Sequence, residues 1–202
     1  MPTSNAPSSA ATRRSFLRLA LSGEAGLLLL AWGLARWLQV IPLSTFEPSW
    51  SGLLWGLAAT APALLALVWM MRARAGAVRR LVDLVLEQLG PLIGRQSGTS
   101  LAALALVAGF SEEVLFRGVI QAGITRCCSL AVGLTITSLL FGLVHFASRT
   151  YAIFAAIMGL YLGALFQLTG NLFVPIVTHV GYDFVALVWV SHRYREALHP
   201  AA

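Results

Sequence analysis

Two neighbouring glutamates and an arginine stand inside an apolar stretch of the chain, at Glu112, Glu113 and Arg117. Ionisable side chains are costly within a membrane-spanning segment and therefore mark candidate functional sites. Residues four apart share one face of a helix, so Glu113 and Arg117 are predicted to form an ion pair, whereas Glu112 points about 100° away. A carboxylate in apolar surroundings without its own cation binds a proton readily, as a general base must. Glu112 is the candidate base, with Glu113 and Arg117 in support.

Two further segments each carry a histidine in a pair of residues with the same spacing of four. Phe141, a supporting residue, precedes His145, and His179 precedes Asp183. These groups satisfy one another only if three helices converge, which would build a polar pocket within the bundle. Peptide-bond hydrolysis needs an activated water and a donor for the oxyanion. Glu112 and His145 are predicted to activate the water. His179 is predicted to face the oxyanion, with Asp183 fixing its tautomer or itself protonated.

The same side chains leave a metal site open as an alternative. Glu112, His145 and His179 could together bind Zn²⁺ or another divalent ion, because imidazole and carboxylate are usual zinc ligands. The sequence has no His-Glu-x-x-His pair, and the ligands would have to come from three helices. The favoured interpretation is therefore direct glutamate and histidine chemistry that requires no cofactor.

The composition indicates that a lipid bilayer surrounds these helices. Of the 202 residues, 58% are apolar and only 11% charged, and the mean hydropathy is +0.79. Soluble domains carry about 25% charged residues. The net charge of +6 comes from arginines that flank apolar runs, a pattern typical of membrane topology, so no nucleic-acid partner is predicted.

Six segments satisfy the requirement of about 20 mostly apolar residues for a transmembrane helix. They lie at residues 22–41, 50–71, 100–121, 129–147, 151–169 and 172–191. Residues 72–99 combine arginines with regularly spaced leucines, which predicts an amphipathic helix at the cytoplasmic interface. The predicted fold is an all-α polytopic transmembrane bundle. Residues 1–15 are predicted to be a disordered tail, and residues 16–202 a single membrane domain with a motif-bearing core at 100–191.

The positions of the arginines predict the orientation in the membrane. With the amino terminus in the cytoplasm, eleven of the 14 arginines lie on the cytoplasmic side, and an even number of spans returns the carboxyl terminus there. One difficulty follows from the predicted spans. Glu112 lies mid-span, His145 near the inner surface and His179 nearer the outer surface, so tilt, kinks or shifted span ends must bring them to one depth.

The motifs E-E-x-x-x-R, F-x-x-x-H and H-x-x-x-N/D occur in this order on successive predicted helices. Over roughly residues 100–191 the chain resembles the CPBP (CAAX prenyl protease and bacteriocin-processing, or Abi) family of intramembrane endopeptidases. The resemblance implies that Glu112 is the catalytic base, His145 its partner and His179 the oxyanion stabiliser, with Asp183 in the last position. A bacterial inner membrane is the expected location. The expected substrate is a hydrophobic or lipidated peptide, because access to the site is through the membrane.

The resemblance leaves two questions open. Members of the family are described both as metalloproteases and as glutamate proteases, so it does not decide between the two. The prenyl-protein proteases have Asn where this chain has Asp183, which leaves open whether CAAX proteins are substrates. A non-proteolytic membrane protein, either a proton or solute transporter or a bacteriocin-immunity scaffold, is the alternative class.

Overall fold

Seven helices make up the part of the chain that the computed structural model describes, residues 9–198, and that part contains no strand. The predicted all-α fold is thus confirmed. Their bounds are α1 Ser9–Leu38, α2 Trp50–Met71, α3 Gly76–Ile93, α4 Gly98–Cys127, α5 Leu130–Val144, α6 Arg149–Thr169 and α7 Phe173–Leu198. α1 begins inside the stretch 1–15 predicted as a tail, of which residues 1–8 lie outside the described part.

Five of these helices are long and apolar enough to cross a membrane, namely α2, α4, α6, α7 and the Ser15–Leu38 part of α1. The fourth predicted span, residues 129–147, is different. Its helix α5 has only 15 residues, or about 22 Å at ~1.5 Å per residue, which is less than the ~30 Å hydrocarbon layer. The prediction of six full-length spans is therefore wrong for this segment, because α5 ends at Val144 and leaves His145 outside the helix.

Serines set several of the helix starts. Ser129 accepts a hydrogen bond from the Val132 N–H at the start of α5, and Ser148 accepts one from the Tyr151 N–H at the start of α6. α2 and α4 are capped in the same way. A backbone N–H without a partner is costly in a bilayer, so such caps decide where a helix can begin. The cap at Ser148 starts α6 soon after α5 has ended.

The amphipathic helix predicted within residues 72–99 is present as α3. Leu81, Val82 and Ile93 are buried on its inner side, whereas Arg79 and Asp83 form a half-exposed ion pair on its outer side. The inner side packs mainly against α7. An apolar stripe opposite a charged face is the pattern of a helix that lies along a bundle or a membrane surface.

The core of the bundle lies where α4 meets α1, α5, α6 and α7. Val114, Leu115, Phe116 and Val119 of α4 form its centre and are nearly completely buried. Large apolar side chains such as Trp55 remain exposed on the outer faces of the helices, as expected where lipid replaces water.

The middle of α4 departs from regular α-helix. Val114–Gln121 is a π-helical segment, a rare conformation that is frequent at functional sites. It follows directly after Glu113 and contains Arg117. Gly118 lies within this segment against the loop between α1 and α2, where an added Cβ would stand 2.3 Å from the Pro42 carbonyl oxygen. At Gly118 the π-helical segment therefore has no space for a larger side chain.

Candidate active site

The predicted base and its histidine partner meet across the α4–α5 hairpin. Glu112 Oε2 lies 3.6 Å from His145 Nε2. Glu112 precedes the end of α4 by 15 residues, and His145 follows the start of α5 by 15 residues. In an antiparallel hairpin, equal distances from the turn place the two residues at one depth. The predicted difference in depth between Glu112 and His145 therefore arose because residues 129–147 were treated as a complete span.

The tautomer of His145 follows from its hydrogen bond. Its Nδ1 lies 2.8 Å from the Phe141 carbonyl oxygen, which can only accept, so Nδ1 carries the hydrogen. The nitrogen that faces Glu112 is Nε2. The imidazole also stacks on the Phe141 ring, with 4.5 Å between ring centres. These contacts hold Nε2 of His145 towards the Glu112 carboxylate.

Glu113 occupies a fully buried network behind this pair. Its Oε1 accepts hydrogen bonds from Arg117 Nη1 at 2.8 Å and from His179 Nδ1 at 2.8 Å. Arg117 also donates to the Gly159 carbonyl oxygen of α6 at 2.7 Å, and its guanidinium lies over the Phe141 ring. The ion pair that the spacing predicts is present. Glu113 additionally links α4 to α7, which the sequence did not indicate.

His179 contacts two carboxylates, and the contact with Glu113 is the shorter of the two. The Glu113 carboxylate accepts from Nδ1, which fixes the hydrogen on that nitrogen, and Nε2 lies 3.5 Å from Asp183 Oδ2. The shorter contact belongs to Glu113, and the role predicted for Asp183, fixing the tautomer or being itself protonated, stays a prediction. Nε2 of His179 and the Asp183 carboxylate lie on the side of the imidazole away from Glu113.

Exposure separates the two glutamates. The side chains of Glu112, His145 and Asp183 are 13%, 25% and 27% exposed, whereas those of Glu113 and Arg117 are not exposed at all. One oxygen of each glutamate, Oε2, has no hydrogen-bond partner among residues 9–198. The unequal placement that helical geometry predicts for the two carboxylates is thus observed.

The more exposed groups line a cavity of about 670 Å³. Glu112, His145, His179 and Asp183 all contribute to its wall. Most of the remaining wall is apolar and comes from α2, α3, α6 and α7, including three methionines. A mostly apolar cavity with a few convergent polar groups is the usual form of a binding site. The four residues singled out from the sequence are thus brought together at one cavity.

Sequence reasoning missed one carboxylate of this cavity, Glu24 of α1. The Ser111 hydroxyl donates a hydrogen bond to Glu24 Oε2, and Ser111 directly precedes Glu112. Glu24 also lines the cavity. The signal was available, because a carboxylate in an apolar span marks a candidate site by default. Three tyrosines of the cavity wall, Tyr151, Tyr161 and Tyr182, were missed as well.

The residues proposed for a metal do not form a ligand set in this arrangement. Across residues 9–198, no group of three or more His, Cys, Asp or Glu side chains has a geometry that could hold a metal ion. Of the three candidates Glu112, His145 and His179, the last already uses Nδ1 for Glu113. Zinc ligands must converge to about 2.0–2.2 Å from one point. The hydrogen bond to Glu113 leaves His179 Nε2 available, as in histidines that bind a metal through one ring nitrogen and a carboxylate through the other.

Together the fold and the site define an integral membrane protein with a glutamate and histidine cluster inside a helical bundle. Residues 95–185 match the family model described as type II CAAX prenyl endopeptidase Rce1-like. This stretch contains every motif residue, from Glu112 to Asp183. The match confirms the family resemblance predicted from the motifs, over the part of the chain that carries them.

Comparison with curated proteins finds a relative that matches a stretch of similar length. The uncharacterized protein YpbD of Bacillus subtilis (strain 168) is 34% identical over 97 residues, which cover 46% of this chain and 47% of that protein. The chain thus spans about half the length of the curated relative it matches. No solved structure matches the chain.

Proposed function

We propose that the chain is an intramembrane endopeptidase that hydrolyses a peptide bond with a water activated by Glu112 and His145. The observation that carries the proposal is the pairing of Glu112 Oε2 with His145 Nε2 at 3.6 Å on the wall of a cavity within the bundle. The family match of residues 95–185 to CAAX prenyl endopeptidases supports the same reaction class.

Glu112 is proposed to take the proton of the attacking water. Its carboxylate has no arginine or lysine partner among the described residues, and His145 presents Nε2 towards it. A water held between these two groups would lose one proton to the carboxylate as its oxygen attacks the peptide carbonyl carbon. The C–O bond then forms while the carbonyl oxygen gains negative charge.

His179 is proposed to stabilise that oxyanion. Its Nδ1–H is held by Glu113, so the ring can donate only from a protonated Nε2. The carboxylates of Glu113 and Asp183 on either side stabilise the doubly protonated ring by charge pairing. Collapse of the intermediate breaks the C–N bond, and Glu112 returns its proton to the leaving amine.

The substrate is proposed to be a hydrophobic or lipidated peptide that enters from the bilayer. The cavity wall is formed mainly by apolar side chains of α2, α3, α6 and α7, and these helices meet lipid on their outer faces. The orientation with both termini in the cytoplasm, the bacterial inner membrane and the single domain over residues 16–202 remain predictions. No step of this mechanism requires a metal.

The test is cleavage of quenched hydrophobic peptides by the purified chain in lipid nanodiscs. Glu112→Gln and His145→Ala are each expected to lower turnover by about 100-fold or more, the usual contribution of a general base. Glu87→Gln is the matched control, because Glu87 is an exposed carboxylate of α3 outside the cavity. Equal turnover in all four proteins would exclude the proposed reaction.

A further inference from the structure

Glu24 gives the site a carboxylate from outside the family-matched region. The family model covers residues 95–185, whereas Glu24 belongs to α1. Its Oε2 accepts the hydrogen bond of Ser111, a fully buried residue that stands next to Glu112. Glu24 itself is partly exposed and lines the cavity. α1 therefore contributes to the cavity wall as well as to the packing of α4.

The charges on the cavity wall are unbalanced. Three carboxylates line it, those of Glu24, Glu112 and Asp183, and its only basic residues among those described are His145 and His179. No arginine of the described part lines the cavity. With all three carboxylates ionised and both imidazoles protonated, three negative charges face two positive ones.

Arg117 does not correct this imbalance. Its side chain is completely buried and lies behind the cavity wall. Its guanidinium is held by Glu113 and by the Gly159 carbonyl oxygen. A ligand carboxylate in the cavity would have no arginine to pair with. It would lose its hydration and meet carboxylates of like charge, each of which disfavours binding.

We propose that Glu24, with Asp183, selects peptide segments that carry no negative charge beside the scissile bond, so that the chain cuts internal bonds rather than bonds near a free C-terminal carboxylate. This inference rests on the proposed function and names its substrate class. It sets the chain apart from an enzyme for C-terminal CAAX sequences, which place a free carboxylate three residues beyond the cysteine. Glu24 determines specificity, since water activation belongs to Glu112 and His145.

The test compares two hydrolysis-resistant, N-methylated hydrophobic peptides of one sequence, one ending in a carboxylate and the other in a carboxamide. Their Kd values are measured on the full chain in zwitterionic nanodiscs, with empty nanodiscs subtracted. The carboxamide is expected to bind about tenfold or more tightly, because like charge in a desolvated site is strongly disfavoured. This ratio is expected to fall at least about threefold in Glu24→Gln, whose amide oxygen can still accept from Ser111.

Glu47→Gln serves as the matched control, because Glu47 is exposed in the loop between α1 and α2 and its substitution changes the total charge equally. Its ratio should equal that of the wild type. Equal Kd values for the two peptides, an unchanged ratio in Glu24→Gln, or no binding above empty nanodiscs would each overturn the inference.

A cleavable pair of the same peptides, followed by mass spectrometry, separates this inference from the proposed function. Preference for the carboxamide without any cleavage would overturn the endopeptidase alone. Cleavage of both forms at equal kcat/KM would overturn the selectivity alone.

Discussion

Glu112 and Glu113 are adjacent in α4 and yet belong to two different environments. Glu112 faces a cavity beside a histidine and has no ion pair with an arginine among residues 9–198. Glu113 is fully buried, and one of its oxygens accepts from both Arg117 and His179. A buried network of this kind holds helices in place, whereas a partly exposed and unpaired carboxylate can exchange protons. The comparison separates a reactive side of α4 from a structural side.

The largest expected difference between the two sides is in stability. Glu113→Gln leaves the Arg117 cation buried without a counter-charge and should lower the free energy of unfolding by about 3–5 kcal/mol. Glu112→Gln removes no ion pair with an arginine and should change it by less than about 1 kcal/mol. Reversible unfolding in mixed detergent micelles measures the free energy of unfolding of the two variants. Similar losses in the two variants would contradict the separation.

The two histidines extend the comparison from α4 to its neighbours. His145→Gln and His179→Gln should each lower turnover by about 100-fold. Only His179→Gln should also lower the free energy of unfolding, by about 1–3 kcal/mol, because it weakens the buried contact with Glu113. Peptide cleavage and micelle unfolding are measured on the same preparations. Loss of stability in His145→Gln instead would show that the His145 ring holds helices in place.

The packing of the structural side can be tested at Gly118. Gly118→Ala directs a Cβ against the Pro42 carbonyl oxygen and should cost about 1–3 kcal/mol, as overpacking usually does. Gly26→Ala is the matched control, because no atom lies within 4 Å of its added Cβ in α1. In a helix interior that control should be neutral or stabilising by up to about 1 kcal/mol. Equal unfolding midpoints of Gly118→Ala and Gly26→Ala would indicate that the π-helical segment of α4 can move to accommodate the added Cβ.

The smallest effect is expected for the ion pair of Arg79 and Asp83. Both side chains are about half exposed, unlike those of Arg117 and Glu113. Exposed pairs add little to stability because water and salt screen them. Arg79→Ala should leave the unfolding midpoint unchanged within error and the rate of peptide cleavage as in the wild type. A loss comparable to that of Glu113→Gln would show that burial does not distinguish the two pairs.

Much of the site could be predicted from local spacing. The face shared by Glu113 and Arg117 follows from helical geometry, and the structure contains their ion pair. The pairing of Glu112 with His145 also follows from the hairpin, once its turn is placed between Cys127 and Leu130. These contacts depend only on positions along one helix or across one short connection.

Other contacts could not be predicted, because they depend on how distant segments pack. The hydrogen bond from His179 to Glu113 joins residues 66 positions apart, and that from Ser111 to Glu24 joins residues 87 apart. The end of α5 was also missed. Apolar residues continue past Val144, so hydrophobicity gives no sign that the helix stops there. The π-helical segment has no sequence signature of its own, since the same residues suit an ordinary helix.

The shortness of α5 has a consequence for the surrounding lipid. A 15-residue helix presents about 22 Å of apolar length to acyl chains that would fill about 30 Å. Lipids beside α5 must shorten or tilt to match it, at a modest cost per ångström of mismatch. We expect the bilayer to be thinner beside α5, so that headgroups and their water lie closer to His145, the residue that is proposed to handle water.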